Sequence, residues 1–371
     1  MELNVHQQVL GSAFIVAAVM GAVVHKTNFC TMGAVSDWVN MDDTGRLRSW
    51  LLAVAVAMGG LVTLEAGGLV SLGETTFPPY RSANFAWLRH ILGGLMFGAG
   101  MTLASGCGNK TLVRIGGGNL KSLVVLAIAA GMAWLMLWSD FYRIVFDSWL
   151  SPLSINLARF GMKSQTLDGI LGGLMGMENT GGLHLILGGL LSLGLAVFAF
   201  GSREFRASRD NVLGGVTVGL TVVAGWALTG GSLGQAWKEW AEMADTLPSR
   251  VEVQSLTFIS PMGDGVRYLM DAGNLSLVNF GVVSLVGVVL GSGLYALASR
   301  RFRLEWFPSV KDFLGHGAGA VLMGTGGVLA MGCTIGQGVT GVSTLALGSM
   351  LTLVAIIAGA AGTMKLQYRF L

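Results

Sequence analysis

The stretch Gly326-Gly327-Val328-Leu329-Ala330-Met331-Gly332-Cys333-Thr334-Ile335-Gly336-Gln337-Gly338-Val339-Thr340-Gly341 sets one cysteine among closely spaced glycines, with Thr334, Gln337 and Thr340 as its only polar side chains. Apolar runs flank it, from Phe313 to Leu329 and from Leu345 to Ala361. A continuous helix disfavours so many glycines, each costing about 1 kcal/mol relative to alanine. The pattern predicts two helical pieces meeting at a broken turn that exposes backbone and carries a thiol at its tip. It occurs earlier as well, in Gly98-Ala99-Gly100-Met101-Thr102-Leu103-Ala104-Ser105-Gly106-Cys107-Gly108-Asn109-Lys110-Thr111. Setting Cys107 on Cys333 also sets Gly98 on Gly324, Gly100 on Gly326, Leu103 on Leu329 and Gly106 on Gly332. A one-residue gap then brings Leu120 and Ser122 onto Leu347 and Ser349. The chain contains an internal repeat.

Composition places this repeat in a membrane. Apolar residues make up 53% of the chain and charged residues 12%, about half the charged share of soluble domains. The 57 glycines are about double ordinary usage, as expected where helices pack closely or break within lipid. A net charge of +3 from scattered basic residues leaves no nucleic-acid footprint. Three cysteines cannot all pair and none lies in a long polar loop, so lone membrane thiols are expected rather than a disulfide framework. No signal-peptide cleavage pattern follows a short apolar run near the N-terminus, so the first helix is expected to remain as an anchor. None of the glycine-rich runs continues as Gly-Lys-[Ser/Thr], which removes nucleotide hydrolysis as a driving force. His25, His90 and His316 have no metal-ligand spacing with the cysteines, so neither a metal nor a cofactor is expected.

A crossing needs about 20 mostly apolar residues. Candidates fall near 8–25, 49–72, 89–117 (broken), 120–138, 180–200, 211–229, 276–298, 313–344 (broken) and 346–365. The expected fold is a single all-α transmembrane domain over 1–371, a polytopic helical bundle of about nine crossings. Arg46 and Arg48; Lys110, Arg114 and Lys121; Arg203, Arg206 and Arg209; and Arg300, Arg301, Arg303 and Lys311 form alternate basic connections. By the excess of positive charge these should be cytoplasmic, with Lys365, Arg369 and the C-terminus. The N-terminus and the connections 73–88, 139–168 and 231–275 then face outward, the last with an excess of Glu and Asp that includes Asp245. Val9-Leu10-Gly11 and Val212-Leu213-Gly214 open two similar halves, about 9–138 and 212–364, joined by a helix at about 180–200. An odd crossing between halves makes them inverted pseudo-two-fold repeats, each with one broken glycine–cysteine segment, and 231–275 is read as a polar outer loop.

Cys30, in Asn28-Phe29-Cys30-Thr31-Met32-Gly33, follows the first span; Gly231 and Ser232 stand at the equivalent place of the second half, so only three thiols remain. The plain alternative for each is a small apolar core residue, but two of them recur at matched breaks and the third lies near Lys26. An ammonium there attracts an anion, or snorkels to the interface. Asn109, Thr111, Thr334 and Gln337 either donate to a solute or satisfy broken backbone, and Gly106 and Gly332 allow the turns. Glu65 and Glu178 are read as structural, near the outer interface. The Gly-x-x-x-Gly steps at 94–98, 215–219, 287–291 and 315–319 suit helix packing, and Trp50, Trp87, Trp134, Trp138, Trp226 and Trp306 suit an interfacial belt.

The segments Asn28–Ala34, Ser105–Cys107, Arg114–Leu123 and Gly332–Gly338 together resemble the sulfur-transport membrane proteins of the YeeE/YedE type. The resemblance covers most of the chain and least of 231–275. It implies an hourglass-shaped bundle with short helices meeting in the membrane, and uptake of thiosulfate past three cysteines, here Cys30, Cys107 and Cys333. It leaves other sulfur or selenium species open. The expected protein is a multi-pass carrier or channel of the bacterial inner membrane, with a small sulfur oxyanion as solute, the lipid bilayer around it and a cytosolic sulfur-carrier protein as possible partner. It is not expected to be an enzyme. The competing reading is a membrane enzyme passing a sulfane sulfur from thiol to thiol, which needs a nucleophilic thiolate near a cation or helix N-terminus.

Overall fold

A computed structural model describes residues 4–73, 76–177, 179–244, 246 and 248–370. Glu178 and Asp245 lie outside the described residues. The first half begins with α1 (Val5–Thr27), opened by a reciprocal Asn4–Gln7 capping box. It continues through α2 (Thr31–Met41), α3 (Gly45–Ala66), α4 (Trp87–Leu103), α5 (Gly108–Gly116) and α6 (Leu120–Trp138). The short α7 (Ser148–Leu150) and α8 (Leu167–Leu174) lead to α9 (Gly181–Phe200) and α10 (Arg203–Ala207). The second half runs α11 (Arg209–Gly230), α12 (Ser232–Glu242), α13 (Ile259–Met270), α14 (Phe280–Ala298), α15 (Val310–Leu329), a π-helical stretch Gly336–Gly341 and α16 (Leu347–Phe370). Two-residue strands are confined to connections: β1 (Thr76–Phe77) pairs parallel with β4 (Val253–Gln254), and β2 (Asn84–Phe85) antiparallel with β3 (Ile155–Asn156). The chain is a polytopic helical bundle.

Among the described residues, 8 helical stretches are long and apolar enough to cross a membrane. The ninth expected crossing falls on α15, which has 20 residues. Lys311, Asp312 and His316 at its start and its many glycines lower its apolarity, and protein rather than lipid surrounds its second half. The connecting helix α9 is the opposite case. It packs on α3 and leaves Ile186, Leu190, Leu193 and Val197 exposed, a face suited to lipid.

Glycines set the packing. α1 lies along α14 and α3 along α11, while α4 packs on both α15 and α16, and α15 on α6. A Cβ on Gly291 would stand 1.9 Å from the Ala18 carbonyl oxygen, and one on Gly215 would stand 2.5 Å from that of Ser49. Such backbone contact admits no side chain. Gly94 and Gly98 meet α16 in the same way, Gly319 meets α4, and Gly315 meets nothing. α4 and α15 cross with opposite chain directions, Gly93 against Gly326 and Gly100 against Gly319. The alignment that sets Gly100 on Gly326 sets Gly93 on Gly319, so exchanging the two halves reproduces both contacts. Gly98 on Ile356 and Gly324 on Ala129 are exchanged likewise.

Two expectations differ from what folds. The segment 231–275 is not a plain polar loop: it holds α12 and α13, and residues 253–264 between and within them are all buried. Alternation of apolar and polar residues there, Val253-Gln254-Ser255-Leu256-Thr257-Phe258, disguises a segment that dips into the bundle. Trp50 and Trp226 are not interfacial. Both are buried in the core, Trp50 against Gly338 and Trp226 with its indole N–H 3.3 Å from Ser343 Oγ. Glu65 does hold a structural position, accepting from Arg81 at 2.7 and 2.9 Å while His184 bridges it to Asp168 at 3.0 and 2.9 Å.

Candidate functional site

The three cysteines occupy one kind of position, the residue that opens a short helical piece after a break. Cys30 caps α2 with the Gly33 N–H 3.4 Å from its sulfur. Cys107 stands at the N-cap of α5 without a side-chain cap bond, and Cys333 receives the Gly336 N–H at 3.4 Å as the chain enters the π-helical stretch. Orphan N–H groups at such starts are the reason a cap is needed there. Gly231 holds the N-cap position of α12 that Cys30 holds in α2, which is where a fourth thiol is absent. The turn before each break uses a non-glycine residue with positive φ, Ser105 at 56° and Met331 at 59°. Gly332 instead permits close approach to Gln337, where a Cβ would stand 3.1 Å from its side chain, while Gly106 has ordinary room beside Lys110.

Tertiary packing joins these local motifs into a line. The Cys30 and Cys107 side chains interact, and Cys107 lies beside Thr334, the neighbour of Cys333. All three thiols are free and buried. The polar side chains around them are buried with atoms to spare. Among the described residues, Asn109 Oδ1, Gln337 Oε1, Thr31 Oγ1 and Thr257 Oγ1 have no hydrogen-bond partner, and Thr334 Oγ1 has only the Cys107 thiol beside it. The Gln337 amide N–H is spent on the Ala330 carbonyl at 2.6 Å. The dipping segment seals the line from the side: Leu256 accepts from the Thr340 hydroxyl at 2.7 Å, Ile259 packs on Gly327, and Thr257 on Gly336. Buried polar atoms without partners are costly, and here they cluster beside the thiols.

The two ends of the line differ. Towards the face bearing the arginine clusters, a cavity of about 480 Å³ opens beside Ser105, Lys110, Arg114 and Asn28. At the opposite end, Tyr80 donates to the Gly336 carbonyl at 2.7 Å. Pro78, Pro79 and Tyr80 close over Met331 and Gln337, leaving no room for a water among them. The cavity on the basic face reaches Ser105 and Lys110, beside the buried Cys107.

Of the residues singled out from sequence, Cys30, Cys107, Cys333, Asn109, Thr334, Gln337, Gly106 and Gly332 gather at these breaks. Lys26 is exposed on the end of α1 and does not line the cavity. Lys110 and Arg114 of α5 stand near Cys30 instead. The sequence marked both as orientation signals, and Arg114 as the start of a motif of the resemblance, but neither as a site residue, although Lys110 follows Cys107 by less than one helical turn.

The family model for sulphur transport matches residues 26–362. A thiosulfate transporter of Escherichia coli strain K12 is 25% identical over 359 residues, 94% of this chain and 92% of that protein. A thiosulfate transporter of Spirochaeta thermophila is 26% identical over 362 residues, 94% of this chain and 96% of that protein. With a match of that extent on a helical bundle whose two broken segments meet at Cys107 and Thr334, the chain belongs to the sulphur-transport family.

Proposed function

We propose that this protein takes up thiosulfate through a bacterial inner membrane, along the line Cys333, Thr334, Cys107 and Cys30. The observation that carries the reading is the row of buried thiols and unpartnered polar atoms at the junction of the two breaks. A bare dianion in hydrocarbon faces tens of kcal/mol of desolvation. The route must replace water with donors: N–H groups opening α2, α5 and the π-helical stretch, hydroxyl and amide groups, and weak S–H donors that let the solute leave. The protein acts as a carrier rather than an enzyme on this reading.

The basic face is cytoplasmic, which puts the start of α1, the 231–275 segment and the Tyr80 seal outside and the end of α16 inside. The halves are inverted repeats crossing nine times. The opposite directions of α4 and α15, and the exchange of Gly93–Gly326 with Gly100–Gly319, support that arrangement. One observation favours a second reading: Cys30 beside Lys110 and Arg114 resembles an activated thiol. In such a relay a Cys30 thiolate would attack the terminal sulfur of thiosulfate, expel sulfite and keep a persulfide.

Purified protein in proteoliposomes, given labelled thiosulfate with sulfate, sulfite and selenite as competitors, tests the proposal. Saturable accumulation of intact thiosulfate is expected, with every cysteine keeping its unmodified mass. Absence of uptake, or a cysteine heavier by one sulfur with sulfite released, would overturn it in favour of the relay.

A further inference from the structure

We propose that Lys110 and Arg114 form a distinct binding site for a divalent oxyanion at the inner end of the thiol line, where solute pauses before release. The inference rests on the transport reading above for its role, but its geometry stands apart from it. The two residues are one turn apart on α5, so their side chains share a face. Like charges at that spacing repel, and Lys110 stands in the first turn of α5, where the helix dipole disfavours a cation. Neither has a carboxylate partner among the described residues. Lys110 donates to Asn28 Oδ1 at 3.2 Å and Arg114 to the Ser105 carbonyl at 2.6 Å, both neutral acceptors.

Neighbouring cations are treated differently. Lys121 is paired with Asp312 at 2.9 Å, and Arg46 is paired with Asp37. Arg301 and Arg303 are exposed, with their charge free to be solvated. Among the described residues, only Lys110 and Arg114 are cations that are partly buried, without a carboxylate partner and next to the thiols. Two unpaired cations withdrawn from water are unfavourable until an anion of matching charge arrives. The guanidinium offers a planar fork and the ammonium a point charge, which suits a tetrahedral oxyanion with two negative charges. The cavity of about 480 Å³ leaves ample room for one. Sulfate and thiosulfate share this chemistry, and sulfate present on the basic side should occupy the same place and slow release.

The test uses the full-length protein in detergent, with sulfate as probe, and titration calorimetry as readout. Wild type should bind sulfate saturably; Lys110→Gln and Arg114→Gln should each weaken it at least tenfold, and Lys110→Arg, which keeps the charge, should restore it to within about threefold. Cys333→Ala should leave sulfate binding unchanged while losing thiosulfate uptake, which separates this site from the path. Proteoliposomes preloaded with sulfate should take up thiosulfate more slowly for wild type than for Arg114→Gln. Unsaturable sulfate binding, or equal affinity in wild type and both glutamine variants, would overturn the proposal even if uptake proceeds.

Discussion

At the scale of single residues, the site works through groups that are buried and only partly satisfied. The three thiols grade in access, with Cys30 8%, Cys107 2% and Cys333 0% exposed. Single-cysteine variants treated with a small maleimide from the basic side should therefore react in the order Cys30, Cys107, Cys333. Measured rates with Cys333 first would place the open cavity at the wrong end. Gln337 is a second probe, because its amide holds the Ala330 carbonyl at the break. Gln337→Leu leaves that carbonyl buried and unpaired, so we expect a loss of about 1–3 kcal/mol, read as a lowered melting temperature, together with impaired uptake. An unchanged melting point would show that another donor replaces it. At this scale the sequence was legible where chemistry is local: cysteine, glycine and amide side chains cluster within a few positions of each break. It was silent on Lys110 and Arg114 as neighbours of Cys30, because that relation needs α1, α2 and α5 to be packed together.

Elements are held by backbone contact, and this makes their glycines unequal. A Cβ on Gly98 would lie 2.1 Å from the Ile356 carbonyl oxygen, whereas one on Gly131 would meet nothing within 4 Å. Gly98→Leu must push α4 off α16 and should cost about 3 kcal/mol or more, seen as loss of monodisperse protein. Gly131→Leu should stay within about 0.5 kcal/mol. Equal tolerance of both would contradict the packing described. The Tyr80 segment belongs to the same scale. Tyr80→Phe removes the donor to Gly336, so Cys333 should become faster to alkylate from the face opposite the arginines, by severalfold. Helical spans and paired glycines were visible in the sequence because both are periodic over a turn or two. The buried 253–264 segment was not, since it is too short for a span and sits among the acidic residues of 231–275. Trp50 and Trp226 misled for a related reason: proximity to a helix end says nothing of what packs there.

For the whole molecule, charge and packing direction agree. α1 runs with α14, α3 with α11, and α4 against α15, the relative directions expected of the proposed nine crossings, whichever face is cytoplasmic. Exposed sites at Met243 and Leu304, each changed to cysteine in a background without native thiols, test which face that is. An impermeant maleimide added to intact spheroplasts should label the Met243 position and spare Leu304; the reverse would invert the topology. The two ends differ, with Gly231 at the N-cap where α2 has Cys30, a cavity beside Lys110 and Arg114 at one end, and the Tyr80 hydroxyl on the Gly336 carbonyl at the other. The claim on which all of this depends is that thiosulfate passes the thiols of the two breaks. Its most direct test is uptake of labelled thiosulfate by proteoliposomes reconstituted to equal density with wild type, Cys107→Ala or Cys333→Ala. Both variants should fold and insert, since alanine fits wherever the thiol does, yet transport no faster than empty vesicles. Wild-type uptake by either variant would contradict the account.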